Sequence, residues 1–275
     1  MKKLTLISLA LASFLVAQET SDVILEATKE ESKPQSLEIK PLTSKNGFLV
    51  GVELGLGGGS GELKTQENYS IGNVFLNSKP FIFNGKIFTG YQRYFSQDNK
   101  MGYNAKVSFG SGYNIRTDDY SHNVLPTGDI EKLPYGNEYN FKNSYVPLSF
   151  GIEANFLYDF WEKGEQVLGA SIGLGYSFVY GINTEMYMVN QPESREIFDK
   201  YFTDKNIYYS LISPKIALHY YYGKHQVELG FSFDKALGES VNKNSYVSAT
   251  ENIDNTITTK PNYFYTFSLS YAYRF

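Results

Sequence analysis

The chain contains no cysteine, one tryptophan and three histidines in 275 residues. The first absence removes disulfides, thiolate metal centres and a lipid-anchored amino-terminal cysteine. Charge is also sparse, at 20% of residues with a net charge of −4, where an ordinary soluble domain carries about 25%. An acidic balance supplies no basic field for a polyphosphate, which excludes nucleic acid as a partner. No apolar run reaches about 18 residues, so no helix of this chain is built to cross a bilayer. What the chain does have is 24 tyrosines, 20 phenylalanines and 24 glycines. Disordered chains lack large apolar rings, so the composition describes a β-rich, aromatic fold.

The amino terminus divides from the rest by composition. Met1-Lys2-Lys3, the apolar run Leu4 to Ala17 and the switch to Gln18-Glu19-Thr20 read as a secretory signal over residues 1–17. Residues 18–46 mix acids and bases without a sustained period, and two X-Pro steps at Lys33-Pro34 and Lys40-Pro41 interrupt them. A largely unordered periplasmic tether is predicted there.

From residue 47 to 275 the dominant signal has a period of two, which sends alternate side chains to opposite faces of a sheet. In Met101 to Arg116 one face holds Met101, Tyr103, Ala105, Val107, Phe109, Tyr113 and Ile115, and the other holds Gly102, Asn104, Lys106, Ser108, Gly110, Gly112, Asn114 and Arg116. Strands of soluble sandwiches usually run about 5 to 6 residues, and this one is far longer. Eight such segments follow one another. Short links join the second to the third, the fourth to the fifth and the sixth to the seventh, and long polar links join the others. Long loops on one side and tight turns on the other, with an even strand count, predict an all-β, closed, antiparallel, eight-stranded transmembrane barrel of the outer-membrane type, with four long extracellular loops. The apolar faces must then meet lipid and the glycine and serine faces the lumen. Aromatics cluster at both predicted water boundaries. Tyr91, Tyr94, Phe95, Phe160, Trp161, Tyr220, Tyr222, Tyr273 and Phe275 lie at the short-turn end, and Tyr113, Tyr145, Tyr180, Tyr208, Tyr263 and Tyr265 at the other. Pro214 removes a ladder donor within the sixth segment, where a bulge is expected.

The final segment, Phe267-Ser268-Leu269-Ser270-Tyr271-Ala272-Tyr273-Arg274-Phe275, resembles the closing strand of Gram-negative outer-membrane barrels, in which Phe267, Leu269, Tyr271, Tyr273 and Phe275 would form the assembly signal. With Pro147-Leu148-Ser149-Phe150-Gly151 and Phe156-Leu157-Tyr158-Asp159-Phe160, residues 47–275 resemble the outer-membrane protein family of Helicobacter and related epsilon-proteobacteria, as a small member. The resemblance implies location in the outer membrane, contact with its lipids and lipopolysaccharide, delivery by the barrel-assembly machinery and an adhesin or porin role. A host surface ligand and a monomeric state are further expectations.

Charges on the lumen face are the main candidate site. Glu53, Lys86, Lys106, Glu153, Lys215 and Asp234 fall at similar depths, and strands one and two, three and four, and six and seven each offer one acid and one base. An unpaired charge in a narrow lumen is costly, so pairing into a belt that plugs the barrel is expected. Asp159, His219, Glu228 and Arg274 fall lower and read as solvated groups of the periplasmic rim. Catalysis would need a base beside a nucleophile, and the best cluster is His122 with Ser121, Asp118 and Asp119 in one loop. Gly55 to Gly61 reads as a flexible strand exit, since no Lys-Ser or Lys-Thr follows it as a phosphate cradle requires. The expected protein is therefore non-enzymatic, without cofactor or metal, and structural or surface-displaying. A narrow porin or small-solute channel is the alternative, and an outer-leaflet lipid enzyme the third reading.

Overall fold

The computed structural model describes residues 44–67, 74–95, 99–119, 140–188, 195–196, 199, 203–248 and 251–275. Nine strands occupy nearly all of them: β1 Gly47–Glu67, β2 Val74–Tyr94, β3 Met101–Asp119, β4 Asn140–Lys163, β5 Gln166–Met188, β6 Ile207–Tyr222, β7 His225–Leu237, β8 Ser240–Ser248 and β9 Glu251–Arg274. Every pairing is antiparallel, in the order β1-β2-β3-β4-β5-β6-β7-β9-β8, and β1 also pairs with β9. That last ladder, from Leu49 with Arg274 to Glu67 with Asn255, closes the ring. A closed sheet has no unpaired edge, which is the condition for a sheet to lie in hydrocarbon.

The ring has eight staves, as the periodicity predicts, and the ninth strand comes from a break in one of them. Lys235 pairs with Tyr263 and Ser240 with Thr259, so five steps along β7 and β8 oppose four along β9. Gly238, at φ +88°, takes up the extra residue in a conformation that side chains disfavour. The stretch read as a long seventh-to-eighth loop is therefore mostly β8 and the outer half of β9. The same happens elsewhere. β1 continues to Glu67 and β2 begins at Val74, and Gly55 to Gly61 are paired strand residues, not a strand exit.

At the opposite end the turns are tight. Lys163 pairs with Gln166 around Gly164, and Tyr222 pairs with His225 around Gly223. Both glycines have left-handed φ, +61° and +57°, as a two-residue hairpin with glycine first requires.

The outward face is apolar. Phe48, Val50, Val52, Leu54 and Leu56 of β1 are 50–64% exposed, while Leu49 and Glu53 between them are buried. On β9, Tyr263 and Tyr273 lie ten residues apart, about 33 Å along the strand and about 25 Å in depth at the usual barrel tilt. That matches one hydrocarbon thickness for such barrels. Two boundary aromatics correct the sequence reading: Tyr94 and Tyr145 point into the lumen, at 5% and 1% exposure. Pro214 makes no bulge either. Pairing of β6 with β7 lapses between Ile212 with Lys235 and Lys215 with Ser232, and the register resumes unchanged. The ladder simply omits the bonds that a proline nitrogen cannot make.

Candidate functional site in the barrel lumen

At mid-depth three lysines and three glutamates meet. Register places Glu53 beside Lys86 and Lys106 beside Glu153, and their ion pairs measure 2.9 and 3.6 Å. Other contacts cross the lumen. Lys106 Nζ lies 3.4 Å from Glu228, and Lys215 Nζ lies 3.3 Å from Glu53 and 3.4 Å from Glu153, besides 2.9 Å from Glu228 on the adjacent strand. Six formal charges sum to zero in one network that ties β1, β2, β3, β4, β6 and β7 together. Glu53, Lys106, Lys215 and Glu228 are buried and Lys86 and Glu153 partly so, and each has gained opposite neighbours, so removing a single member leaves an unmatched charge. Missing side chains make the room. A Cβ at Gly230 would stand 2.8 Å from Lys215 Cε, and one at Gly110 would stand 2.7 Å from Lys86 Cγ. Lys106 also sits 5.2 Å over the Phe88 ring, a cation–π contact.

Towards the tight-turn end the lumen is closed by a second polar cluster. Asp159 accepts from Lys45 at 2.9 Å and from Tyr94 Oη at 2.9 Å, and lies 2.7 Å from His219 Nε2. Lys45 precedes β1 yet reaches β4, where it also pairs with Glu162 at 2.9 Å, and it donates to the Asn99 carbonyl. His219 stacks on Tyr221 at 4.7 Å, and Arg274 lies 5.6 Å from the same tyrosine ring while donating to the Gly223 carbonyl. Beside these polar groups, Tyr94, Leu157, Val167 and Tyr221 pack as an apolar cluster. Gly169 leaves room for this packing, because a Cβ there would collide with His219 Nε2 and Asp159 Oδ1.

Towards the other end the lumen is closed by rings and aliphatic groups. Ile82, Tyr145, Val179, Ile207, Tyr209, Ala236 and Phe264 form one buried cluster. Asn114 donates to Tyr145 Oη, which lies 3.3 Å from Tyr209 Oη. Between this cluster and the ionic layer is a cavity of about 110 Å³ lined by Ser108, Ser149, Ser177, Ser213, Ser232 and Ser268 among others. A polar cavity of that size accommodates water.

Five of the six belt residues therefore meet, and Asp234 stands apart, accepting from Thr266 Oγ1 at 3.1 Å. Glu228 takes the place expected of Asp234. The rim assignment is corrected for all four of its members, since Asp159, His219, Glu228 and Arg274 are each 3% exposed or less. His122 and Ser121 lie outside the described residues, as do residues 1–43 with the predicted signal and most of the tether; the side chains of Asp118 and Asp119 are likewise outside them. Among the described residues, no group of three His, Cys, Asp or Glu is placed to hold a metal ion. The upper cluster went unread, although its signal is visible. Phe81-Ile82-Phe83, Tyr208-Tyr209 and Tyr263-Phe264-Tyr265 break the alternation, and in each run one large side chain must turn inward.

The fold is similar to several bacterial surface barrels. Neisserial surface protein A is 11% identical over 83% of this chain and 97% of its own, with a TM-score of 0.28. The attachment invasion locus protein Ail of Yersinia pestis is 11% identical over 83% and 99%, at 0.29. OprG of Pseudomonas aeruginosa is 8% identical over 85% and 98%, at 0.36. No family model matches the chain, and no curated protein matches it. Scores of this size carry no functional argument, so function rests on the chain's own geometry, which is that of a closed, lipid-facing barrel of the outer-membrane type.

Proposed function

We propose that the protein is a non-conducting outer-membrane barrel whose role is structural or one of surface display, through the hairpins that it holds outside the membrane. The observation that carries this reading is the neutral six-charge network joined across the lumen. Ions would have to displace Lys215 from three carboxylates to pass it, and the Asp159 and Tyr145 clusters stand in series with it. Monomeric insertion by the barrel-assembly machinery through Phe267, Leu269, Tyr271, Tyr273 and Phe275 belongs to the same proposal, as does contact of the outer hairpins with a host surface ligand. The membership in a Helicobacter-type family that the terminal strand suggests is part of it as well. Hydrolytic chemistry finds little support among the described histidines. His219 is held against Asp159 in a closed layer, and the ring of His225 bonds to lipid-facing Tyr271 at 2.6 Å.

The test is electrical. The full chain, reconstituted in planar bilayers, is expected to stay silent. A steady conductance whose ion preference changes in Lys215→Met would establish the narrow channel instead. Orientation is tested separately on intact cells, where added protease is expected to cut within residues 117–143 or 182–206 and to spare residues 18–46.

A further inference from the structure

One outer face of the barrel combines a basic row with an apolar groove directly below it. Lys79 on β2, Lys260 on β9 and Lys235 on β7 are all exposed. Register brings them close together on the wall. Ser78 pairs with Gly61, Gly61 with Pro261, and Tyr263 with both Ser60 and Lys235. These strands are consecutive in the ring as β2, β1, β9 and β7, so the row spans about 14 Å at the usual strand spacing. Lysine side chains are long enough to converge across such a gap. They lie beside the outer aromatic boundary, where Tyr263, Tyr265, Phe233 and Phe81 are exposed on the same strands.

Below the lysines lies an open groove of about 850 Å³, bordered by Leu54, Leu56, Phe83, Leu229, Phe231 and Phe267 among others. Two acids lie among these lysines: Glu62 stands opposite Lys260 in register but makes its ion pair with Lys64, at 3.7 Å, and among the described residues no ion pair engages Lys79, Lys235 or Lys260, Glu239 included. The opposite wall differs. There Lys142 and Arg195 are both matched by Glu185, at 3.7 and 3.3 Å.

We propose that this face is a binding site for a phosphate-bearing lipid of the outer leaflet, with its headgroup on Lys79, Lys235 and Lys260 and an acyl chain in the groove. Cations just outside the hydrocarbon boundary attract anionic headgroups, and an ammonium donates strong hydrogen bonds to phosphate oxygens. The apolar track beneath fixes the source of the phosphate as a lipid, since a free anion would have no use for it. The site rests on the outer-membrane reading, with the hairpin end outside.

The test uses the full-length barrel in neutral polyoxyethylene detergent, titrated by native mass spectrometry with diphosphoryl lipid A, its dephosphorylated form and inorganic phosphate. Each lysine near a membrane surface contributes about fivefold in affinity, so the wild type is expected to prefer the phosphorylated lipid by up to about a hundredfold. Combined Lys79→Gln, Lys235→Gln and Lys260→Gln should remove that preference, three Lys→Arg changes should keep it, and Lys142→Gln should leave it unaltered. Heat-modified migration on gels confirms that each variant is folded. Equal binding of both lipids, an unaffected triple Gln variant, equal loss in Lys142→Gln, or competition by inorganic phosphate at the affinity of the lipid would each overturn the site. A barrel that stays electrically silent while failing this test would lose the lipid site and keep the closed-lumen reading.

Discussion

The middle and the upper part of the lumen are closed by opposite chemistries. In the middle, Lys86, Lys106 and Lys215 are balanced by Glu53, Glu153 and Glu228, and the layer is held by charge. Above it, Ile82, Tyr209 and Phe264 fill the same bore by apolar contact, with Tyr209 and Phe264 rings 5.9 Å apart. The two layers share a diameter and a backbone, so the difference between them lies in how each responds to loss. An apolar cluster loses contacts in proportion to what is removed. A neutral ionic cluster fails as a set, because each removal creates an unmatched charge.

The largest effect should follow removal of the most connected charge. Lys215→Met keeps the volume and leaves a net negative layer, and unfolding by denaturant in detergent should show a loss of about 3 to 5 kcal/mol. Adding Glu228→Gln restores neutrality and should recover at least half of that loss. Additive costs would remove the idea of a coupled layer. Phe264→Ala comes next, at about 3 kcal/mol from the cavity it opens, with no rescue by any charge change. Neither variant should conduct in planar bilayers, because two other layers stay closed behind each; current through either single variant would show that one layer alone seals the bore.

Smaller changes refine the comparison. Gly169→Ala forces a methyl against His219 and Asp159 and should cost about 2 kcal/mol as overpacking, measured by the same titration. If the variant is as stable as the wild type, the tight-turn cluster is looser than its geometry. Tyr145→Phe strips one hydroxyl from the upper cluster and leaves the Asn114 amide without that acceptor, for about 1 kcal/mol. A loss near that of Phe264→Ala would mean that the upper cluster is held by polar bonds and not by packing.

How much of this was legible in the sequence follows from distance along and across the wall. The lipid-facing pattern was readable because hydrocarbon imposes one rule on every second residue, and Phe48 to Leu56 obey it without exception. Glu53 with Lys86, and Lys106 with Glu153, were readable because adjacent antiparallel strands align when residues are counted from their tight-turn ends. Glu228 was misplaced for the converse reason. It faces His219 in register but reaches along the wall to Lys215 of the adjacent strand and across the bore to Lys106, and such reach depends on barrel diameter and shear, which no local pattern encodes. Lys45 was hidden in a segment that reads as tether, since nothing in Thr43-Ser44-Lys45-Asn46 announces a partner on β4.

That lysine has a consequence for the time course of folding. Its partners Asp159 and Glu162 lie more than 110 residues further along the chain, so its bonds close a long loop and are expected to form late. Contacts absent from the transition state act on the escape rate alone. Lys45 is then expected to act as a latch, lengthening the life of an inserted barrel without changing how quickly it inserts. Lys45→Met should leave the refolding rate in detergent unchanged and raise the unfolding rate, and the lifetime of the barrel in the membrane would shorten while its rate of arrival stayed the same.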